Sequence, residues 1–367
     1  MRDISAIELN VLVKELSDFI TKSRIKKIYF LGQDSFRIAF YKENKTIHLY
    51  IKLLKTINET KFSETADEPN NFVMSLRKRL ENRIVNSISQ INHDRILQFS
   101  VGKEKYLLTI EMLGKGNIIL VNETNNIELC YKSLDFSDRI IRPNNPYILP
   151  KGDSISLEEA ISSGTSILSN ENNEKAISVL SKSVNLGPLY TEDILKRAKV
   201  DPKSTSLSEK DKESIVKELK LFSERLSNEK PLVYLENEKI TNYSLCEILK
   251  YNDLEKKEFE SISEALDFIY FSERSYIKDD SKQQKINEIK INISKQEHLS
   301  VSLLEDSKKY SEIGKILMEK MYQVNQAIIF LKENKRVEIE EFKRKFPEIK
   351  ITKLDLKNKT FTIEIDE

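Results

Sequence analysis

A polar stretch, Asn92-His93-Asp94-Arg95, separates two apolar runs and carries the side chains best suited to recognising a phosphate. Arginine offers a planar fork of N–H donors that matches phosphate oxygens and can stack on a base. The carboxylate of Asp94 can hold that fork or accept a hydrogen bond from a ribose hydroxyl. The pattern therefore indicates a nucleic-acid contact at Asp94 and Arg95, and the alternative is a weak salt bridge at the end of a turn. His93 is either a group that titrates near neutral pH or an ordinary loop residue.

A second polar corner, Gly114-Lys115-Gly116-Asn117, follows the apolar run at residues 106–112. It lacks the full G-x-x-x-x-G-K-[ST] pattern of a phosphate loop, so a glycine-bearing turn between two strands is the better interpretation. The ammonium group of Lys115 and the amide of Asn117 would still face a nucleic-acid backbone from such a corner.

Basic residues also cluster on a short amphipathic segment at residues 72–80, where Arg77, Lys78 and Arg79 surround apolar positions. A solvated helix face explains them as well as contacts that position phosphates do. Further along, Leu186-Gly187-Pro188 lies between two short helical patterns, at residues 175–183 and 191–198. The backbone N–H groups of Gly187 and Leu189 would then lie at a helix N-terminus, which favours an anion, although packing of a small helical domain is an equal explanation.

Composition limits the classes of function. Lys and Arg number 60 and Asp and Glu 59 among 367 residues, so the net charge of +1 counts against a strongly basic nucleic-acid binder unless the basic groups cluster locally. The two cysteines are too few for a disulfide framework and suit a reducing cytosol. His48, His93 and His298 are scattered away from both cysteines, so no metal site and no cofactor are predicted. No signal core and no run of about 20 apolar residues is visible.

The elements that must position these corners follow from periodicity, and the predicted fold class is α+β. Ser5 and Glu8 form a capping box at the start of a helix that ends near residue 22. Strands are predicted at residues 24–31, 36–40, 47–53, 84–91, 96–101, 106–112, 118–121, 127–131, 232–235, 244–248, 349–356 and 360–365. Residues 56–70 are predicted to be a polar surface loop, residues 139–150 an irregular strap, and residues 208–227 a helix.

From about Lys285 the apolar residues repeat every seven positions, which predicts one long helix of the coiled-coil type to about residue 331. The repeat is strong at both ends and weak at Ser300, Ser307 and Gly314. The helix should therefore be held only marginally when it has no partner.

The chain resembles the NFACT family of ribosome-associated quality-control factors. The resemblance lies in Pro69 with residues 72–80, in Asp94-Arg95-Ile96, in residues 113–120 and in the segment at residues 259–268. It implies an N-terminal α/β domain similar to that of formamidopyrimidine-type DNA glycosylases at residues 1–172. It also implies a helix-hairpin-helix domain with short strands at 173–275, a coiled-coil helix at 276–345 and a strand-like segment of a middle domain at 346–367. We expect an N-terminal fragment without the family's C-terminal domain.

The resemblance implies a cytoplasmic, non-enzymatic factor that binds tRNA and the obstructed large ribosomal subunit, with its rRNA and peptidyl-tRNA, and supports template-free extension of the nascent chain. It involves neither a membrane nor a small-molecule substrate. The family's tRNA-recognition pair corresponds to Asp94 and Arg95. Two alternatives come from other classes. A glycosylase-like enzyme is disfavoured because Arg2-Asp3 stand where those enzymes carry Pro-Glu, and a surface adhesin is disfavoured because no signal or anchor is visible.

Overall fold

The computed structural model describes residues 2–61, 66–103, 105–152, 154–169, 173–334 and 336–364. Between residues 271 and 298 it describes the side chains of residues 272, 289, 292, 293 and 295–297 only. The chain forms two compact units, Met1–Ser275 and Tyr276–Glu367. Helices and strands are both abundant, so the predicted mixed α and β fold class is confirmed.

The first sheet is antiparallel, with four strands in sequential order: β1 (Arg24–Phe30), β2 (Ser35–Lys42), β3 (Lys45–Lys52) and β4 (Thr56–Thr60). Glu43 and Asn44 have φ angles of 49° and 62°, the backbone of a two-residue turn whose twist matches that of the strands it joins. Helix α1 (Ala6–Ile20) begins with the predicted capping box of Ser5 and Glu8 and packs against β2 and β4.

The prediction of a polar loop over residues 56–70 is wrong for its first part, because Thr56–Thr60 forms the edge strand β4 beside β3. Periodicity missed this strand because Ile57 is its only large apolar side chain. A tertiary contact stabilises it instead. The backbone N–H groups of Glu59 and Lys61 donate to Ser263 Oγ at 2.6 Å and to Asp267 Oδ2 at 3.0 Å.

The second sheet has five antiparallel strands in sequential order: β5 (Val85–Gln90), β6 (Ile96–Val101), β7 (Tyr106–Glu111), β8 (Asn117–Val121) and β9 (Ile127–Cys130). Helix α2 (Asn71–Leu80) packs against β1 and β9, an edge strand of each sheet. Phe40 and Phe99 stack between the sheets with ring centroids 5.8 Å apart, so one hydrophobic core serves both.

The predicted strap at residues 139–150 contains the short strand β11 (Ile140–Ile141), which pairs with β10 (Leu134–Asp135) just before it. One buried carboxylate secures it. Glu111 accepts hydrogen bonds from Arg139 Nη1 and Nη2 at 2.6 and 2.9 Å and from Tyr147 Oη at 2.8 Å. The strap therefore depends on the end of β7 for its position.

The described residues that follow form the α-helices α3 (Leu157–Ser163), α4 (Ala176–Ser183), α5 (Pro188–Arg197) and α6 (Glu209–Asn228), with a 3-10 helix at Gly164–Leu168 after α3. Residues 184–187 join α4 to α5, and the assignment of this pair as a helix-hairpin-helix stays a prediction. A three-stranded sheet comes next, with β12 (Leu232–Glu236) between β13 (Lys239–Ser244) and β14 (Glu255–Glu258). The strand predicted at residues 244–248 is wrong, because residues 245–248 bury their apolar side chains as a loop and Leu245 N donates to Tyr190 Oη.

Helix α7 (Ile262–Glu319) starts well before the predicted position near Lys285, because Ile262, Ala265, Leu266 and Ile269 are buried in the core of the first unit. The remaining elements are α8 (Met321–Glu333), α9 (Ile339–Lys345), β15 (Ile351–Asp355) and β16 (Thr360–Ile363). Residues of α8, α9 and β15 enclose a second small core around Phe342. Several side chains of the seven-residue repeat are exposed, including Ile289, Leu303 and Tyr310, and the coiled-coil pairing stays a prediction.

None of the helices among the described residues combines the length and apolarity that a membrane-spanning segment requires. Within the same part of the chain, no cluster of three or more His, Cys, Asp or Glu side chains is arranged to hold a metal ion.

The side chain of Glu8 is fully buried at the start of α1 and is surrounded by donors. Both Nη atoms of Arg2 pair with its oxygens, Ser5 N donates at 2.7 Å, Tyr190 Oη at 2.7 Å and Tyr243 Oη at 3.3 Å. Burial alone would raise the pKa of Glu8, but the Arg2 charge and these hydrogen bonds outweigh it and hold that pKa below its usual value. Glu8 is therefore ionised in the folded protein at neutral pH.

We expect Arg2→Ala to lower the free energy of unfolding at pH 7 by about 3–5 kcal/mol, because it leaves a buried carboxylate without its counter-charge. The wild-type protein should lose the Glu8 contribution as the pH falls below the ordinary glutamate pKa, since its folded pKa is depressed. In Arg2→Ala burial dominates and raises that pKa, so acidification from pH 7 to about 5 should restore part of the lost stability. Denaturant unfolding across this pH range measures both effects.

The control for this prediction is Arg142→Ala, which breaks an exposed ion pair with Asp135. It should change stability by no more than about 0.5 kcal/mol. An Arg2→Ala protein as stable as this control would contradict the role given to Glu8.

We also expect the backbone amides of residues 300–312 to exchange with solvent faster than those of β6 and β7, because every side chain in that helical stretch is exposed. Hydrogen exchange followed by mass spectrometry at several protein concentrations measures this. Equal protection at the lowest concentration would contradict the prediction, whereas protection that rises with concentration would show that a second copy covers the helix.

Candidate nucleic-acid interface

The first corner is a tight turn between β5 and β6. Asn92 and His93 have φ angles of 52° and 49°, a left-handed pair that asparagine tolerates better than most residues. Asp94 N donates to Ile91 O at 3.0 Å, and Ile91 N donates to Ile96 O at 3.0 Å, which closes the hairpin. The turn therefore presents His93, Asp94 and Arg95 at the end of two paired strands.

The carboxylate of Asp94 is held by the backbone and by a distant residue rather than by the Arg95 guanidinium. Its Oδ1 accepts from Arg95 N at 2.7 Å and from Asn185 Nδ2 at 3.0 Å. Gln90 Nε2 donates to Asp94 O at 2.9 Å and thereby fixes the backbone of the turn. The described contacts therefore do not support the hypothesis that Asp94 holds the guanidinium of Arg95.

Arg95 keeps its guanidinium loosely held and accessible. Its nearest described carboxylate is Asp3, whose Oδ2 lies 3.7 Å from Arg95 Nη1, and the arginine side chain is 29% exposed. Asp3 in turn lies 2.8 Å from the ammonium of Lys55. A pair this long and this exposed contributes little to stability, so the planar fork can exchange Asp3 for a phosphate.

The second corner is a turn between β7 and β8 with two glycines in the left-handed region, Gly114 at φ 55° and Gly116 at 63°. A Cβ on Gly116 would lie 3.0 Å from the Cβ of Leu53, so the turn requires glycine there both for its φ and for its close approach to the β3–β4 connection. Lys115 is exposed, and its carbonyl accepts from Lys132 Nζ at 2.9 Å.

The two corners lie side by side at the same end of the strands of the second sheet. Met112 N, just before the second corner, donates to Arg95 O at 2.8 Å in the first. This end of the sheet therefore brings together four cationic side chains, those of Lys55, Arg95, Lys115 and Lys132. Two acidic residues, Asp3 and Asp34, partly neutralise them. The sequence predicted two of these cations and missed the lysines at 55 and 132.

Asn117 has a structural position, although it was predicted as a contact. It is 1% exposed. Its Oδ1 accepts from Ile118 N at 3.0 Å and Lys132 N at 2.9 Å, and its Nδ2 donates to Lys132 O at 2.7 Å. All its polar atoms are used within the chain, so Asn117 positions Lys132 and we leave it out of the interface.

The basic residues of α2 divide into two that serve the fold and one that faces solvent. Arg77 Nε donates to Ile28 O at 2.7 Å, and Arg79 Nε lies 3.3 Å from Glu128 Oε2, so both hold the helix against the sheets. Lys78 is exposed. No described contact joins any of these residues to Asp94 or Arg95.

The remaining predicted residues lie around the α4–α5 connection and the first turn. Gly187 has a φ of 88°, and a Cβ there would lie 2.8 Å from Ser5 Cβ, so this turn is packed against the start of α1. Leu189 is half-buried, and His93 Nε2 lies 3.9 Å from Glu159 Oε2. Hydrogen bonds from Ser156 lower the pKa of Glu159, so its carboxylate stays charged beside His93.

Comparisons with known proteins agree with one another. A model of the family described as NFACT N-terminal and middle domains matches residues 5–362. The archaeal Rqc2 homolog aRqcH of Methanocaldococcus jannaschii is 29% identical over 327 residues, which are 84% of this chain and 48% of that protein. The ribosome quality control complex subunit 2 of Saccharomyces cerevisiae is 30% identical over 127 residues, which are 34% of this chain and 12% of that protein. The chain thus spans about half the length, or less, of these two relatives.

Solved structures show the same fold. The fibrinogen binding protein from Staphylococcus aureus aligns with a TM-score of 0.60 at 19% identity, over 72% of this chain and 98% of that one. The N-terminal part of the fibronectin/fibrinogen-binding protein from Streptococcus suis aligns with a TM-score of 0.58 at 24% identity, over 73% of this chain and 99% of that one.

We expect Asn185→Ala and Asp94→Ala each to lower the free energy of unfolding by about 1 kcal/mol, because each breaks the hydrogen bond between the two side chains. The double variant should be less destabilised than the sum, with a coupling energy of at least about 0.5 kcal/mol. Denaturant unfolding of the three variants measures the coupling. Strict additivity would show that the 3.0 Å contact does not hold Asp94 in solution.

Proposed function

This chain belongs to the NFACT family, and we propose that it acts in ribosome-associated quality control by binding tRNA and the obstructed large ribosomal subunit. The names of its archaeal and yeast relatives support the quality-control role. In this proposal the rRNA and the peptidyl-tRNA of the blocked subunit are its partners in the cytoplasm. The protein holds tRNA in place while the ribosome makes the peptide bonds that extend the stalled chain without a template.

The observation that carries the tRNA proposal is the geometry of Arg95. Its backbone is fixed on both sides, by the Asp94 carboxylate at Arg95 N and by Met112 N at Arg95 O, whereas the one described contact of its guanidinium is the loose Asp3 pair. A fixed backbone with a weakly held planar fork suits bidentate recognition of a phosphate or a base edge. Exposed Lys115 adds attraction for the backbone phosphates, whereas Lys55 and Lys132 are already paired with Asp3 and Asp34.

Asp94 has a positioning role in this proposal. Its Oδ1 is occupied by Arg95 N and Asn185 Nδ2, so the carboxylate sets the direction in which the following arginine leaves the strand end. The other carboxylate oxygen of Asp94, Oδ2, can accept a hydrogen bond from a ribose hydroxyl.

We expect Arg95→Ala to weaken tRNA binding by about 1–3 kcal/mol, the range of a good bidentate contact. Arg95→Lys should not restore affinity, because an ammonium cannot reproduce the planar fork. Asp94→Ala should also weaken binding, because the backbone of Arg95 loses its anchor. Fluorescence anisotropy with a labelled tRNA, measured beside thermal melting, tests all three.

The matched control is Lys45→Ala. Lys45 is exposed at the far end of β3 from the corner, roughly 25 Å away along the strand at about 3.3 Å per residue. It removes one positive charge without touching the site. Normal tRNA binding by both Arg95→Ala and Asp94→Ala would overturn the proposal. If both variants lose tRNA binding and also melt at a clearly lower temperature than the wild-type protein, the pair supports the fold and does not contact tRNA.

A further inference from the structure

A cleft of about 710 Å³ lies in the helical part of the first unit, away from both corners in the chain. Its apolar lining residues are aliphatic: Ile177, Leu189, Val200, Pro202 and Ile248. They come from the start of α4, the start of α5, the connection after α5 and the loop after β13. This volume is in the range of clefts that hold a small ligand or one part of a larger one.

Five exposed lysines line the same cleft: Lys175, Lys196, Lys199, Lys203 and Lys250. None of them has an ion pair among the described contacts, although lysines elsewhere, such as Lys132, Lys230 and Lys256, pair closely with carboxylates. The absence of pairing is not due to a lack of nearby carboxylates, because three carboxylates also line the cleft.

Two of those three carboxylates are already engaged. Asp193 is 4% exposed, pairs with Arg197 at 2.6 Å and accepts from Leu249 N at 2.8 Å. Asp201 accepts from Lys203 N at 3.0 Å and so closes its own turn. The hydrogen bond to Asp201 leaves its charge in place, so Glu192 and Asp201 remain, among the described lining residues, to balance five ammonium groups. The cleft has a local excess of positive charge that the net charge of +1 conceals.

The positive charge of the lysines and the aliphatic residues that form the floor of the cleft together indicate the chemical class of its ligand. Ammonium groups on flexible stems attract phosphates as point charges and do not read sequence. An aliphatic floor between them needs an apolar or aromatic face, which a base offers only when it is unstacked and unpaired. We propose that this cleft binds a short unpaired stretch of RNA, with one base on the floor around Leu189 and the adjoining phosphates on the lysines.

This inference deepens the proposed RNA-binding function, and it rests on that function only in choosing RNA as the polyanion. It also adds to the expectation for Leu189. The backbone N–H of that residue was predicted to contact a phosphate, which stays a prediction, and Leu189 is also one of the residues that line the cleft.

The test uses the full chain and an oligouridine of about eight nucleotides, within the roughly 4–16 nucleotides that single-strand sites cover. The variant Lys196→Gln/Lys199→Gln should lower affinity at least about fivefold and reduce the slope of log affinity against log salt by about 1.4, since each single-strand phosphate contact contributes about 0.7. The matched control is Lys217→Gln/Lys220→Gln, which removes two exposed charges from α6 outside the cleft and should leave both quantities unchanged.

A second variant separates the floor from the charges. Leu189→Ser should weaken oligouridine binding and leave the salt slope unchanged, because it removes an apolar contact and no charge. Thermal melting verifies that each variant is folded. If Leu189→Ser binds normally and inorganic tripolyphosphate competes as well as the oligomer, the cleft holds phosphate alone and the proposal is wrong. If polyglutamate binds and oligouridine does not, the occupant is an acidic peptide and the proposal is equally wrong.

The outcomes also separate this inference from the proposed function. Loss of tRNA binding in Arg95→Ala, with normal oligouridine binding by the lysine variant, would overturn the cleft and leave the function standing. The reverse pattern would overturn the tRNA corner and support the cleft.

Discussion

The Glu8 carboxylate receives hydrogen bonds from three regions that are far apart in the chain. Arg2 and Ser5 come from the N-terminal segment, Tyr190 from α5 and Tyr243 from β13. Burying a charge is tolerable only when it is paired and its remaining lone pairs are satisfied, and here both conditions hold. Arg2 adds further contacts, since its guanidinium stacks over the Tyr243 ring at 4.0 Å and donates to Asn242 Oδ1 at 2.9 Å. One buried anion therefore joins the start of α1 to α5 and to the three-stranded sheet of the first unit.

The geometry of the candidate interface depends on the contacts around Glu8. Because Arg2 and Ser5 are fixed, Asp3 is placed between Lys55 and Arg95, and Ile4 N donates to Lys55 O at 2.9 Å. The same segment packs against Gly187, two residues after the Asn185 that holds Asp94. Asp3 and Asn185 therefore both lie between the surroundings of Glu8 and the Asp94-Arg95 corner. Hydrogen bonds from Gln90, Asn185 and Met112 hold the corner, and among the described contacts the Arg95 guanidinium has only a loose pair with Asp3.

Local patterns in the sequence predicted the parts of this arrangement that depend on neighbours in the chain. The capping box at Ser5 and Glu8, the alternating residues of β2 and β3 and the glycines of the second corner all act within a few residues of themselves. What could not be predicted depends on residues far away in sequence. The same Glu8 that caps α1 also binds Tyr243, 235 residues further on, and Asn185 reaches Asp94 across 91 residues. For Asn117 the sequence predicted a contact that the structure does not support. This polar residue lies in a polar corner, but it is buried and its side chain is hydrogen-bonded within the chain.

Pairing of charges separates the scaffold from the surfaces that we assign to RNA. The chain carries 60 basic and 59 acidic side chains, so its composition gives no sign of a polyanion partner. Buried Arg139 meets the carboxylate of Glu111 in bidentate geometry, and a charge neutralised in this way attracts little beyond its partner. Arg95 and the cleft lysines do not follow this pattern, since one has a single loose pair and the others have no described ion pair. Because screening in salt limits the reach of exposed charges to about 8–10 Å, a polyanion responds to these local clusters and not to the total. A nearly neutral protein can therefore bind RNA strongly, provided that its compensating acids are used up inside the fold.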